Sequence, residues 1–347
     1  MIKEFLHEKK NIYIAYTGGT IGMKKSNHGY IPIAGYFKKQ LTKMPEFYSS
    51  EIPNFIIKEY NPLIDSANMS PIEWQKIADD IKKKYYKYDG FIVLHGTDTM
   101  AYTASALSFI LENLEKPIII TGSQIPIAEI RSDGRQNLLN SLLIMENYPI
   151  NEVTLFFNNK LYRGNRTTKS NANGFNAFSS PNITPLLEMG INIRYLYKDK
   201  FFKKQKKLKV YKIIPQPISI ITIYPGISSK ILKNFLLYPV KALILRTYGV
   251  GNAPQNKDFL NELYVANRKN IIIINLTQCS SGNINMNGYA TGNSLKKVGV
   301  ISGYDLTIEA ALTKLHFLLS QKISVKKIRR QMQNNLRGEL TNHSNLL

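Results

Sequence analysis

Asn11-Ile12-Tyr13-Ile14-Ala15-Tyr16-Thr17-Gly18-Gly19-Thr20 is the stretch on which the fold turns. Its apolar run is too short for a helix and breaks into glycine and threonine, so it reads as a buried strand feeding a tight turn. The pattern returns at Phe91 to His95, which runs into Gly96-Thr97-Asp98-Thr99. Between the two, Phe55 to Tyr60 has strand character, and Ser70-Pro71-Ile72-Glu73 is a capping box with proline at the first helical position. The helix predicted from Pro71 carries an inner stripe of Trp74, Ile77, Ile81, Tyr85 and Tyr88, and the lysines at 82 to 84 and 87 fall on its solvated side.

Working outward, Ala104, Leu107, Leu111 and Leu114 repeat with helical period. Pro117 to Thr121 reads as a strand, Ser132 to Asn147 as a helix and Val153 to Phe157 as a strand. Strands alternating with helices imply a mostly parallel sheet covered on both faces, with ligands at the carboxyl ends of the strands. Both Gly/Thr turns fall on that edge. After residue 195 the pattern lapses into a basic tract, and residues 196–215 are read as a linker between an amino-terminal domain (1–195) and a smaller domain (216–347). The second domain resumes the alternation: strands at Ser219 to Tyr224, Ala242 to Arg246 and Asn270 to Asn275, helices at Ser228 to Leu237 and Lys257 to Arg268, and a terminal helix pair from about Asp305 and Ser324.

Composition narrows the function. The chain has 347 residues, 44% of them apolar, and a single cysteine, Cys279, which fits a globular protein in a reducing compartment rather than a disulfide scaffold. The short apolar run near the start does not make a signal peptide, no stretch reaches the length of a membrane span, and a cytoplasmic protein is expected. The net charge of +22 invites a nucleic-acid reading, but 36 of the 46 basic residues are lysine, spread along the chain, whereas arginine is favoured for bidentate reading of phosphates and bases. Weak, salt-sensitive polyanion binding is expected and no specific nucleic-acid partner.

Dinucleotide-binding, phosphate-loop, zinc-protease and serine-elbow motifs are all absent from the sequence. His95, at the end of a strand, reads as a core histidine, and His316 as packing. What remains is hydroxyl chemistry from Thr17, Thr20, Thr97 and Thr99. Threonine is a poor nucleophile at neutral pH and needs a neighbouring base or relay. Asp98 lies in the second turn and Lys169 in Arg166-Thr167-Thr168-Lys169; together with a threonine they have the groups for such a relay. Glycines 18, 19 and 96 let backbone N–H groups approach an oxyanion. On the residues alone the reading stops at a ligand-binding α/β protein.

Tyr16-Thr17-Gly18-Gly19-Thr20-Ile21-Gly22 and His95-Gly96-Thr97-Asp98-Thr99-Met100 resemble the two signature segments of bacterial L-asparaginases. Asp65-Ser66-Ala67-Asn68-Met69, Thr121-Gly122-Ser123-Gln124, Arg163 to Lys169, Arg246 to Gln255 and Asn275 to Cys279 extend the similarity nearly end to end, most of all to the cytoplasmic, type I group. The resemblance implies a larger flavodoxin-like amino-terminal domain, a smaller Rossmann-like carboxyl-terminal domain, and hydrolysis of L-asparagine to L-aspartate and ammonia with no cofactor and no metal. It also implies a homotetramer built as a dimer of dimers, with sites completed across the tight interface. By position, Thr20 matches the nucleophile, Tyr30 the tyrosine on a closing loop, and Thr97, Asp98 and Lys169 the second threonine, aspartate and lysine. Ser66, with Asp65 beside it, matches the holder of the substrate carboxylate, and Asp98 also faces the amino group. A covalent β-aspartyl intermediate on Thr20 is favoured, with direct attack of water as the competing route.

The resemblance further implies a second, regulatory asparagine site at Thr168, Arg246, Asn252, Thr277 and Cys279, against which stands a plain interface-packing role for Arg246 and Cys279. Two departures stand out. Periplasmic relatives complete the amino-group site with a neighbouring subunit's glutamate, yet this chain has no Asp or Glu between Glu262 and Asp305, and Ala67 replaces a polar residue after the anchoring serine. Looser substrate binding is expected. The alternatives are a glutaminase-type amidohydrolase and an amidotransferase subunit of the same family, which would need a tRNA-contacting module. Asparagine and glutamine differ by one methylene, which a pocket distinguishes by only about 1–3 kcal/mol.

Overall fold

In the computed structural model the described residues are 8–27, 29–197, 206–288 and 290–341. They divide into two compact units. One comprises the chain up to Gly164 with Lys169–Ser179 and Pro185–Val210; the other comprises Asn165–Thr168, Ser180–Thr184 and the chain from Tyr211 onward.

The first unit is built on an eight-stranded sheet: β1 (Asn11–Tyr16), β2 (Asn54–Glu59), β3 (Gly90–Leu94), β4 (Ile118–Thr121), β5 (Val153–Phe157), β6 (Lys160–Arg163), β7 (Leu187–Met189) and β8 (Ile193–Tyr195). The order is β8-β7-β6-β5-β4-β3-β1-β2. The five strands from β2 to β5 are parallel, in the 2-1-3-4-5 order of flavodoxin-like sheets, and β6 to β8 add antiparallel strands at one side.

The unbroken apolar run of β1 follows from burial on both faces. Ile12, Ile14 and Tyr16 share a core with Leu138, Leu142 and Met145 of the helix Gly134–Asn147. Tyr13 points the other way, packs on Tyr88 and Phe91, and donates its hydroxyl to Asp80 of the helix Pro71–Lys84 at 2.8 Å.

The second unit holds a four-stranded parallel sheet of β9 (Ile218–Thr222), β10 (Ala242–Thr247), β11 (Ile272–Thr277) and β12 (Ile301–Ser302), in that order. Ile221, Leu243, Leu245 and Ile273 form its core with Phe259 and Leu263 of the helix Lys257–Arg268. Two ionic contacts are sealed inside this unit. Arg166 is bonded to Asp305 at 2.8 Å, and Lys314 to Glu339 at 2.5 Å with both side chains fully buried.

The alternation expected from sequence is present, with local differences. The helix Met100–Ile110 stops a turn short of its apolar period, because Leu111–Glu112 leave it to pair with Lys209–Val210. β6 to β8, the helix Ala290–Lys297 and β12 carried no clear signal. Of the tract read as a linker, residues 198–205 lie outside the described residues. Among the described residues no helix is long and apolar enough to cross a membrane.

Candidate active site

Three turns converge at the carboxyl edge of the first sheet. The turn after β1 carries Thr20 in a short 3-10 helix, Thr20–Gly22. A methyl group on Gly19 would lie 2.4 Å from the Gly96 nitrogen, so these two turns touch backbone to backbone, and Gly19 has φ 91°, which an L side chain rarely adopts. A methyl on Gly96 would lie 2.4 Å from Ser66 Oγ, which brings the third turn, after β2, into the same place. Ser66 is buried and held there by the Thr99 hydroxyl, which donates to its carbonyl at 2.7 Å. Asp65 accepts from the Ala67 N–H at 3.0 Å and so closes its own turn.

Lys169 joins from beyond β6. Its Nζ donates to Thr97 Oγ1 at 2.9 Å and to Asp98 Oδ1 at 2.8 Å. The carboxylate of Asp98 stays two-thirds exposed, open to a ligand with a positive group. Tyr30 lies on the hairpin Met23–Ser26/Gly29–Pro32, whose second strand is near the Thr20–Gly22 turn; its side chain is 44% exposed, and neither its hydroxyl nor that of Thr20 makes a hydrogen bond to a described residue. Thr17 is buried and gives its hydroxyl to the Leu94 carbonyl at 2.8 Å, a structural role that leaves Thr20 as the candidate in its turn.

His95 is the core histidine its position suggested. Its Nδ1 faces the Gly96 carbonyl at 2.7 Å and its Nε2 lies 2.9 Å from Thr103 Oγ1. Burial pulls its pKa down to about 4, against the bond to Gly96, so the ring is neutral at physiological pH.

The residues read as a second asparagine site all fall in the second unit, four of them at or after the ends of β10 and β11. Thr277 donates to the Gly249 carbonyl at 2.6 Å and accepts from the Cys279 N–H at 3.0 Å, and Asn252 accepts the Thr291 hydroxyl at 2.5 Å. Thr168 donates to Glu309 at 2.7 Å. The Arg246 side chain makes no hydrogen bond to the described residues, and its charge is felt at Glu309. Burial pushes the Glu309 carboxyl up, against the Thr168 bond and Arg246, and its second oxygen has no partner among the described residues.

Sequence reasoning missed two residues. Glu309 gives no local signal. Gln124 was visible only as part of a quoted motif, although its Oε1 accepts the Thr97 hydroxyl at 3.0 Å.

The model of the amino-terminal asparaginase domain matches residues 11–201, and that of the glutaminase/asparaginase carboxyl-terminal domain matches residues 217–332. The chain belongs to the asparaginase family. It is 64% identical to L-asparaginase 1 of Escherichia coli K12 over 334 residues, 96% of this chain and 99% of that one. The crystal structure of L-asparaginase I from Vibrio cholerae superimposes with a TM-score of 0.89 at 59% identity, covering 96% of this asparaginase-family chain and all of the other. A glutamyl-tRNA(Gln) amidotransferase subunit of Pyrococcus horikoshii is more distant, 32% identical over 95% of this chain and 77% of its own length.

Proposed function

We propose that this chain is an L-asparaginase that hydrolyses L-asparagine to L-aspartate and ammonia through Thr20. The observation that carries the reading is the meeting of the Thr20 turn with Gly96-Thr97, where Lys169 bridges Thr97 and Asp98 at 2.9 and 2.8 Å. Identity of 64% to an L-asparaginase, against 32% to the amidotransferase subunit, favours this activity over the second.

In the proposed reaction Ser66, in the turn that Asp65 closes, holds the substrate carboxylate and Asp98 its ammonium. One anchor per charge delivers the side-chain amide to Thr20 in a near-attack pose. Thr20 Oγ bonds to the amide carbon, the backbone near Thr97 receives the oxyanion, and the C–N bond breaks as the Thr20 proton passes to the departing nitrogen. Water then attacks the β-aspartyl ester, the C–O bond to Thr20 breaks, and a proton of that water ends on the Thr20 oxygen. Thr97 and Lys169 handle the proton of that water. Tyr30 reaches Thr20 when its hairpin closes over bound substrate. Thr20→Ala is expected to lower ammonia release at least about a thousandfold while thermal unfolding stays within a few degrees of wild type. Activity within a few-fold of wild type would reject the assignment.

We also propose that asparagine binds a regulatory pocket at Thr168, Arg246, Asn252, Thr277 and Cys279. The Arg246 guanidinium suits the ligand carboxylate. A sigmoidal rate curve in asparagine that turns hyperbolic in Arg246→Ala supports this, and a hyperbolic wild-type curve with one asparagine bound per subunit removes it. A cytoplasmic homotetramer completes the proposal. The end strand β8 leaves Ile193 and Tyr195 each more than a third exposed, a surface that a second copy would cover. Light scattering on the purified chain reads the oligomer directly.

A further inference from the structure

Gln124 follows β4 at the same sheet edge, and its side-chain amide is occupied at both ends. Nε2 donates to the carbonyls of Ala172 at 3.1 Å and Gly174 at 3.2 Å. Those carbonyls only accept, which fixes the orientation of the amide and puts Oε1 toward Thr97. An amide oxygen likewise only accepts. The single hydrogen of Thr97 therefore points at Gln124 Oε1, 3.0 Å away, and the lone pairs of Thr97 Oγ1 are left for Lys169. Gln124 is itself anchored, because its main-chain N–H donates to both oxygens of Asp133 at 3.0 Å and the next N–H, of Ile125, donates to Oδ1 at 3.1 Å.

We infer that Gln124 is a positioning residue for the hydrolysis. It turns the Thr97 hydroxyl so that the oxygen faces Lys169 Nζ, and it clamps the Ala172–Gly174 turn, which follows Lys169 in the chain, to the same point. It acts through Thr97, not on substrate. Without it the Thr97 hydrogen is free to swing to the Asp98 carboxylate and compete with Lys169 for its partner. The inference rests on the reading of Thr97 and Lys169 as the proton-handling pair.

Gln124→Met keeps the volume and removes the acceptor. It is expected to lower kcat about tenfold with KM within about twofold, because hydroxyl orientation matters to the reaction step and little to substrate binding. Made in a Thr97→Val background, where there is no hydroxyl to orient, the same change should cost much less than tenfold, leaving only the effect of releasing the Ala172–Gly174 turn. An equal loss in both backgrounds, or an unchanged kcat in the single variant while Thr97→Val is crippled, overturns the inference. Near wild-type turnover by Thr97→Val itself defeats instead the reading beneath it. Should Gln124→Met fold poorly, Gln124→Glu places a negative charge beside Thr97 and is expected to move the pH limb of kcat/KM upward; an unmoved limb also overturns the inference.

Discussion

Gly19 leaves no space for even a methyl group, and the reason is the neighbouring backbone rather than its own turn. Gly19→Ala would set a carbon 2.4 Å from the Gly96 nitrogen at a φ of 91°, so the Thr20 and Thr97 turns must separate. The expected outcome is loss of ammonia release by more than about a hundredfold, with destabilisation of at least about 2 kcal/mol by urea unfolding. The threonines were legible because each sits in a glycine-bearing turn directly after an apolar run, a local pattern. Gln124 and Glu309 were not, because what an amide or a carboxylate does depends on partners 27 and 141 residues away in sequence. Nor did spacing tell Thr17 from Thr20: the first is satisfied by the Leu94 carbonyl, which only strand pairing brings near.

Among elements, the helix Pro71–Lys84 is the one most completely specified by its own sequence. The capping box is formed as read: the Ser70 hydroxyl accepts from the Ile72 N–H at 3.2 Å, and Glu73 accepts from the Ser70 N–H at 3.0 Å. Ser70→Ala is expected to cost about 1 kcal/mol in unfolding free energy, read by urea unfolding. Its stripe of Trp74, Ile77, Ile81, Tyr85 and Tyr88 is buried throughout, whereas the lysines at 82, 83 and 87 are exposed. The helix Met100–Ile110 shows the opposite case. Ten of its residues are buried, so periodicity cannot mark its end, and the end is set by the pairing of Leu111–Glu112 with Lys209–Val210.

At the scale of the whole molecule, buried ionisable groups govern the response to pH and to truncation. His95 and His316 are both pulled to about 4 by burial. Above pH about 6.5 both folded and unfolded chains hold them neutral, and they contribute no pH dependence. From there down to pH 4 the unfolded chain takes up protons that the native chain refuses, so stability falls with pH, on the order of 3 kcal/mol from His95, with His316 acting in the same direction. Urea midpoints between pH 7 and 4 measure this, and His95→Gln should flatten the slope. Lys314→Met strands Glu339 as an unpaired buried carboxylate and is expected to cost about 3–5 kcal/mol, much of it recovered when Glu339→Leu is added. The sequence by itself determined the parallel α/β architecture, because strands buried on both faces must be apolar end to end and their turns must carry glycine. It also marked Thr20, Thr97, Asp98 and Lys169 as chemical candidates. Only the tertiary structure decided which hydroxyls are free, that Gln124 directs the Thr97 hydrogen, and that Lys314 and Glu339 lie inside as a pair. Hydrogen-bond direction and charge burial are properties of neighbours in space, which no run of adjacent residues encodes.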